Sequence, residues 1–280
     1  MSRPVIGIFD SGFGGLTVMR ALLALIPQAD YVYLGDTARL PYGSKSRETI
    51  ARYAVGSAHF LEAHGADLLV VACNTASALA LDALEAEAKI PVIGVIEPGA
   101  AAAARAATPG RSGVLVLATQ ATVQSHAYAR ACAAHGLQAY EKACPLLVPL
   151  VEEGWTDHPV TEEVLRIYLE EALADARSQG ILPATVLLGC THYPLLQPLL
   201  ERALRQHFPP ASGAPDLQIL DSAAAAAQRV ATRFMAAPLS KNTPPACEFF
   251  ATDSVEKFQR LGSRFLGQPI ARVQHVDLGG

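Results

Sequence analysis

Two cysteines stand in matching local contexts. Val70-Val71-Ala72-Cys73-Asn74-Thr75 and Leu187-Leu188-Gly189-Cys190-Thr191-His192 each read as an apolar strand ending in a thiol, followed by polar residues able to bind a ligand. A thiol of pKa about 8.5 is only a few per cent thiolate at neutral pH, so chemistry at either position requires activation by a helix N-terminus or by polar neighbours. His192, two residues beyond Cys190, is a candidate acid/base partner. If the two strand ends face opposite sides of one ligand, the pair suits inversion at a carbon centre. One base removes a proton and an acid on the other face returns one, whereas a single base would tend to return the proton to the face it came from. Carbon acids of this kind are weak, so the site must also exclude water and supply prearranged donors.

Other segments offer binding groups. Asp10-Ser11-Gly12-Phe13-Gly14-Gly15 follows the first apolar run, where glycines permit a sharp turn and close approach of backbone to a ligand. Asp10 and Ser11 there suit an ammonium and a carboxylate, and they equally suit capping of a following helix. The loop Gly35-Asp36-Thr37-Ala38-Arg39-Leu40-Pro41-Tyr42-Gly43-Ser44 combines hydroxyls and backbone donors able to hold a carboxylate, or is a plain surface loop. Cys132, Cys144 and Cys247 read as packing residues. Common cofactor motifs fail: Gly12-Phe13-Gly14-Gly15-Leu16-Thr17 lacks the last glycine of a dinucleotide fingerprint, Ser44 separates Gly43 from Lys45 in a P-loop-like stretch, and there is neither HExxH nor CxxC. No cofactor and no metal are expected.

The elements that must position these residues follow from short apolar runs separated by helical patterns. Val5–Phe9, Tyr31–Leu34, Leu68–Ala72 and Val92–Ile96 read as buried strands of a parallel sheet, with helices over Arg47–His64 and Ala76–Ala88. A second set comprises strands Gly113–Ala118, Leu137–Tyr140, Thr185–Leu188 and Leu217–Leu220 and helices Thr161–Ala176 and Gln197–Gln206. Gly99–Gly113 reads as a helix and turn joining the sets, Pro209–Pro215 as a loop, and Ala223–Ala237 as a helix. Cys247–Thr252 is a late strand that brings the chain back to the first domain. The expected fold is α/β: two pseudo-symmetric αβ domains with mostly parallel sheets, spanning 1–98 with 210–280 and 99–209, and a ligand cleft between them. Ile6-Gly7-Ile8-Phe9-Asp10-Ser11 matches Leu115-Val116-Leu117-Ala118-Thr119-Gln120 at an offset similar to that of the two cysteine strands, which supports an internal repeat.

Composition narrows the function classes. The 280 residues are 51% hydrophobic, enough for a large core, so general disorder is excluded. A net charge of −4 argues against broad nucleic-acid binding, and no apolar run is long enough for a membrane span. Five cysteines without a CxxC pair, and a start that leads directly into a strand, point to a reducing cytoplasm without a secretory signal.

Four ordered motifs resemble the glutamate racemase family: Gly7-Ile8-Phe9-Asp10-Ser11-Gly12-Phe13-Gly14-Gly15-Leu16-Thr17-Val18, the Gly35–Ser44 loop, Ala72-Cys73-Asn74-Thr75-Ala76-Ser77, and Gly189-Cys190-Thr191-His192-Tyr193-Pro194. The resemblance runs from about residue 5 to about 222. It implies a cofactor-independent enzyme that interconverts L- and D-glutamate and supplies D-glutamate for peptidoglycan. It implies that Cys73 deprotonates D-glutamate and Cys190 L-glutamate, with Asp10 and His192 assisting. Asp10, Ser11, Tyr42, Gly43, Asn74, Thr75, Thr191 and His192 would bind substrate. Glu152, in Pro149-Leu150-Val151-Glu152-Glu153-Gly154, matches a further active-site carboxylate, and Thr119 and Thr122 match a Gly-Thr-x-x-Thr segment that holds substrate. Here Ala118 stands where that segment has glycine. Family members are often dimers, so the expected partners are glutamate and, by the same resemblance, a second copy of the chain. Three other readings stay open at this stage: a two-cysteine racemase for another amino acid such as aspartate, a non-catalytic small-ligand receptor, and a thiol hydrolase using Cys190 and His192.

Overall fold

Strands buried on both faces need no polar alternation, and the central strands show none. In a computed structural model describing residues 3–107, 112–209, 216–234 and 244–279, the described residues form ten strands. These are β1 (Val5–Asp10), β2 (Asp30–Gly35), β3 (Leu68–Val71), β4 (Val92–Gly94), β5 (Gly113–Ala118), β6 (Gln138–Ala143), β7 (Pro183–Gly189), β8 (Gln218–Asp221), β9 (Cys247–Ala251) and β10 (Gln274–His275). Every residue of β3, β5 and β7 is buried, as expected of parallel strands covered by helices on both sides. The edge strands β6 and β8 are only partly covered.

All strand pairs are parallel, and they make two sheets, ordered β10-β9-β2-β1-β3-β4 and β6-β5-β7-β8. In each, the second strand of the set lies outside the first, and the third and fourth follow on the other side. The internal repeat is therefore one of topology as well as of strand-end sequence. The direction of winding reverses beside β1 in the first sheet and beside β5 in the second, and in open α/β sheets ligands bind at the carboxyl ends of strands at such a point.

The chain divides into two compact units, Met1–Val95 with Ala223–Gly280, and Ile96–Ser222. Since β8 pairs with β7, the chain returns to the first unit only after Ser222, and β9 and β10 then extend the first sheet from β2. The core of the first unit packs Phe9, Leu34, Val71, Ile50 and Leu61 together. Side chains of this size, fully buried, each contribute about 1.5–3 kcal/mol.

Several elements differ from the sequence reading. The strand expected over Val92–Ile96 ends at Gly94, and Ile96 opens the helix Ile96–Ala106. The helix expected over Ala76–Ala88 is two helices, Asn74–Leu79 and Leu81–Glu87, joined at Ala80, whose ψ of 0° leaves the helical range. The strand β10 has no apolar run to announce it. The loop expected at Pro209–Pro215, the turn after Ala107 and the end of the helix at Ala223–Ala237 fall mostly outside the described residues, and the helix is seen over Ser222–Phe234. Among the described residues no helix is long and apolar enough to cross a membrane.

Candidate active site

One group of candidate site residues gathers at the carboxyl ends of β1, β2 and β3. Asp10 closes β1 and is buried, and its Oδ2 accepts a hydrogen bond from the Gly12 amide at 2.9 Å. The helix Leu16–Leu25 has Gly15 at its N-cap, which makes no side-chain cap hydrogen bond. Gly15 is required by space: a Cβ there would lie 2.6 Å from the Asp10 Cβ and 2.8 Å from that of Ala72. The glycine turn thus lets the Asp10 side chain lie close beside the residue preceding Cys73.

Cys73 occupies the N-cap of the helix Asn74–Leu79, where its Sγ accepts from the Ala76 amide at 3.4 Å and donates to Ser11 Oγ at 3.5 Å. Burial, with the Asp10 carboxylate adding to it, pushes the Cys73 thiol up to about 11 despite the stabilising Ala76 and Ser11 contacts. Cys73 therefore rests as a thiol at neutral pH, poised to donate a proton. Asn74 and Thr75 follow it, both buried in the first turn, where helix amides lack intrahelical partners.

Tyr42 does not present its ring as a binding surface. The ring lies in the core of the unit, and its hydroxyl donates to Asp36 Oδ2 at 2.6 Å. Burial, then the Asp36 carboxylate, hold that hydroxyl far above the usual phenol range, so it stays a donor. What the short 3-10 turn Tyr42–Ser44 offers a ligand is backbone, and Gly43 is its exposed point, with nothing within 4 Å of a would-be Cβ.

A second group of candidate site residues lies in the other unit. Cys190 directly follows β7 and is nearly fully buried. His192 Nδ1 lies 4.0 Å from Cys190 Sγ and 3.5 Å from Thr191 Oγ1, while its Nε2 faces Glu152 Oε1 at 3.4 Å. The imidazole is thus held with one nitrogen toward the thiol and the other toward a carboxylate. This is the arrangement in which a base is oriented by a third group. Glu152 ends the helix Leu147–Glu152. Tyr193 ties the two segments together by donating from its hydroxyl to the Cys144 carbonyl at 2.9 Å.

Thr119 and Thr122 meet through their hydroxyls at 3.0 Å at the end of β5. Ala118 fits without displacing them because its neighbour on β7 is glycine: a Cβ at Gly189 would lie 3.1 Å from that of Ala118. The pairing register also refines the repeat. Phe9 pairs with Val71 and Ala118 with Gly189, so two residues on from the first pair stand Ser11 and Cys73, and one residue on from the second stand Thr119 and Cys190. Each thiol shares its rung with a hydroxyl residue, whereas the sequence comparison had set Asp10 against Thr119.

Cys132 and Cys144 are fully buried, and burial raises their thiols to about 11 and about 12. The Cys144 carbonyl also serves Tyr193. The residues that the sequence reading left without a role are Asp36 and Tyr193. Both lie inside motifs it had singled out, and only their long-range partners reveal what they hold.

Each unit carries a buried thiol beside polar groups at the switch point of an all-parallel sheet. The model of the Asp/Glu/hydantoin racemase family matches residues 3–230. The chain is 52% identical to the glutamate racemase of Koribacter versatilis, over 99% of each protein. Among solved structures it resembles glutamate racemase from Francisella tularensis in complex with D-glutamate, with a TM-score of 0.83 and 34% identity over 99% of this chain and 98% of that one. It also resembles Escherichia coli glutamate racemase in complex with L-glutamate and an activator, with a TM-score of 0.74 and 28% identity over the whole of both chains. The chain belongs to the Asp/Glu/hydantoin racemase family.

Proposed function

We propose that the chain is a glutamate racemase that interconverts L- and D-glutamate without a cofactor, supplying D-glutamate for peptidoglycan. The observation that carries the mechanism is the equivalent placement of Cys73 and Cys190, each just beyond the third strand of a sheet with the same strand order. Starting from L-glutamate, the Cys190 thiolate takes the α-proton, and the Cys73 thiol gives its own proton to the opposite face of the carbanion. The reverse direction exchanges the roles, so each turnover leaves one thiol protonated and the other ionised.

The remaining residues act on charge. His192, oriented by Glu152, takes up and returns the Cys190 proton between turnovers. Asp10, beside Cys73, raises the energy of its thiolate, which makes it the stronger base when it does ionise. First-turn amides at Asn74 and Thr75 and backbone at Gly43 suit the substrate carboxylates, and the hydroxyls of Ser11, Thr119, Thr122 and Thr191 suit its polar groups. Membership of the racemase family sets aside the receptor and thiol-hydrolase readings.

The substrate assignment rests on relatives of high identity that are glutamate racemases. Purified chain incubated with L-glutamate, D-glutamate or L-aspartate and followed by circular dichroism is expected to bring both glutamate solutions to zero ellipticity and to leave aspartate unchanged. Loss of signal from aspartate alone would replace the substrate assignment.

A further inference from the structure

We infer that Thr252, at the carboxyl end of β9, is a positioning residue for the Tyr42–Gly43 backbone, acting through the buried carboxylate of Asp36. The inference rests on the reading above that this backbone binds substrate.

The connections are all within the first unit. Thr252 Oγ1 accepts from the Ala38 amide at 2.9 Å and donates to Asp36 Oδ1 at 3.0 Å. The other oxygen of that carboxylate accepts from the Tyr42 hydroxyl at 2.6 Å and lies 3.4 Å from an Arg39 guanidinium nitrogen. The Asp36 amide in turn donates to the Asp10 carbonyl at 3.0 Å. Asp36 is therefore a fully buried hub connected to Asp10, to Arg39, to the Tyr42 turn and to the residue that follows β9. A buried carboxylate is held in place only while its acceptors are satisfied, and losing one donor leaves a desolvated oxygen to be paired by movement.

Thr252 is itself fixed. Its amide donates to the Gly35 carbonyl at 3.1 Å, and its carbonyl lies 3.1 Å from His275 Nε2. Next to it the Asp253 amide donates to Thr37 Oγ1 at 2.8 Å, and the Arg39 side chain also reaches the Gly279 carbonyl. The C-terminal segment thus clasps Gly35 to Arg39, the first half of the loop that carries Tyr42 and Gly43. Thr252 lies beyond residue 230, where the match to the family model ends, so its part in the site is visible only in the fold.

The test is steady-state kinetics with both enantiomers on Thr252→Val, Thr252→Ser and Gly43→Val. Thr252→Val keeps the shape and removes both hydrogen bonds. It is expected to raise KM about tenfold for each enantiomer with kcat within about twofold of the parent, and Thr252→Ser to restore KM to within about threefold. Parent-like KM in Thr252→Val overturns the inference. So does a joint fall of kcat and thermal midpoint that serine does not rescue, which marks a purely structural residue. Gly43→Val separates the two readings, because its side chain enters open space. If it raises KM while Thr252→Val does not, only the Thr252 role fails; if it leaves KM unchanged, the substrate-loop reading fails and takes the Thr252 role with it.

Discussion

Serine in place of either Cys73 or Cys190 is expected to lower kcat/KM for racemisation by about 10²–10⁴-fold, equally in both directions. Each inversion needs one thiolate as base and one thiol as acid, so losing either member stops both directions. The equilibrium constant between enantiomers is unity, which requires kcat/KM to fall by the same factor from each side. A serine hydroxyl is a far weaker acid than a thiol, so it neither ionises to serve as base nor releases its proton to the carbanion at a useful rate. The two variants differ in what they retain. Cys73→Ser keeps Cys190 with His192 and Glu152, and should still exchange the α-proton of L-glutamate with solvent without inverting it. Cys190→Ser keeps Cys73 with Ser11 and Asp10, and should exchange only the α-proton of D-glutamate. Proton NMR of each enantiomer in D2O measures this. The opposite pairing of variant and enantiomer would reverse the assignment of bases, and full racemisation by either variant would remove that thiol from the mechanism.

Alanine at Gly35 is expected to be the most damaging of small changes outside the thiols. Gly35 ends β2, and a Cβ there would lie 2.2 Å from the Gly12 carbonyl oxygen and 2.7 Å from the Phe258 ring. The first of these is backbone, and its oxygen also accepts a hydrogen bond from the Tyr33 hydroxyl at 3.0 Å. Nothing flexible is available to yield. The glycine is required by this approach and not by its dihedral angles, since its φ is not in the left-handed region. Overpacking of this kind costs about 1–3 kcal/mol and occasionally more, and 1 kcal/mol moves the midpoint of a domain of this size by about 2–4 °C. A fall of roughly 5–10 °C in thermal midpoint is expected, with a loss of activity because the displaced Gly12 turn carries Asp10 and Ser11. Gly43→Ala, which meets open space, is the control and should melt with the parent. A Gly35→Ala variant with the parent midpoint would show that the β1 and β2 ends are not packed as described.

The strands that carry the chemistry were legible because they are apolar on both faces and stop abruptly at polar residues. Phe9-Asp10, Ala72-Cys73 and Gly189-Cys190 each mark such a boundary, and all three lie at carboxyl ends as expected. What the chain hides are partners brought together by the fold. Glu152 is singled out only through the family resemblance, and nothing near it in the chain announces His192, which it faces at 3.4 Å. Asp36 and Thr252 stand 216 residues apart, and Thr252 reads as no more than the last residue of a strand. Tyr42 shows the converse: its type and motif suggest a ligand contact, yet burial of the ring against Phe9 and Tyr53 decides its position. Short elements were also hidden, because a two-residue strand such as Gln274–His275 has no pattern of its own and exists only by pairing with β9.

The central claim is that two different thiols act on opposite faces of one carbon. Its most direct test follows L-glutamate carrying protium at the α-carbon in D2O at early times, with deuterium measured separately in the D-glutamate formed and the L-glutamate recovered. A thiol holds a single proton, so the one removed by Cys190 cannot reach the other face, and the new proton comes from solvent-equilibrated Cys73. The expected result is D-glutamate deuterated from the first turnovers while recovered L-glutamate still carries protium. Protium retained in the D-glutamate, or deuterium appearing equally in both enantiomers from the outset, would mean that one base serves both faces and would contradict the assignment of Cys73 and Cys190.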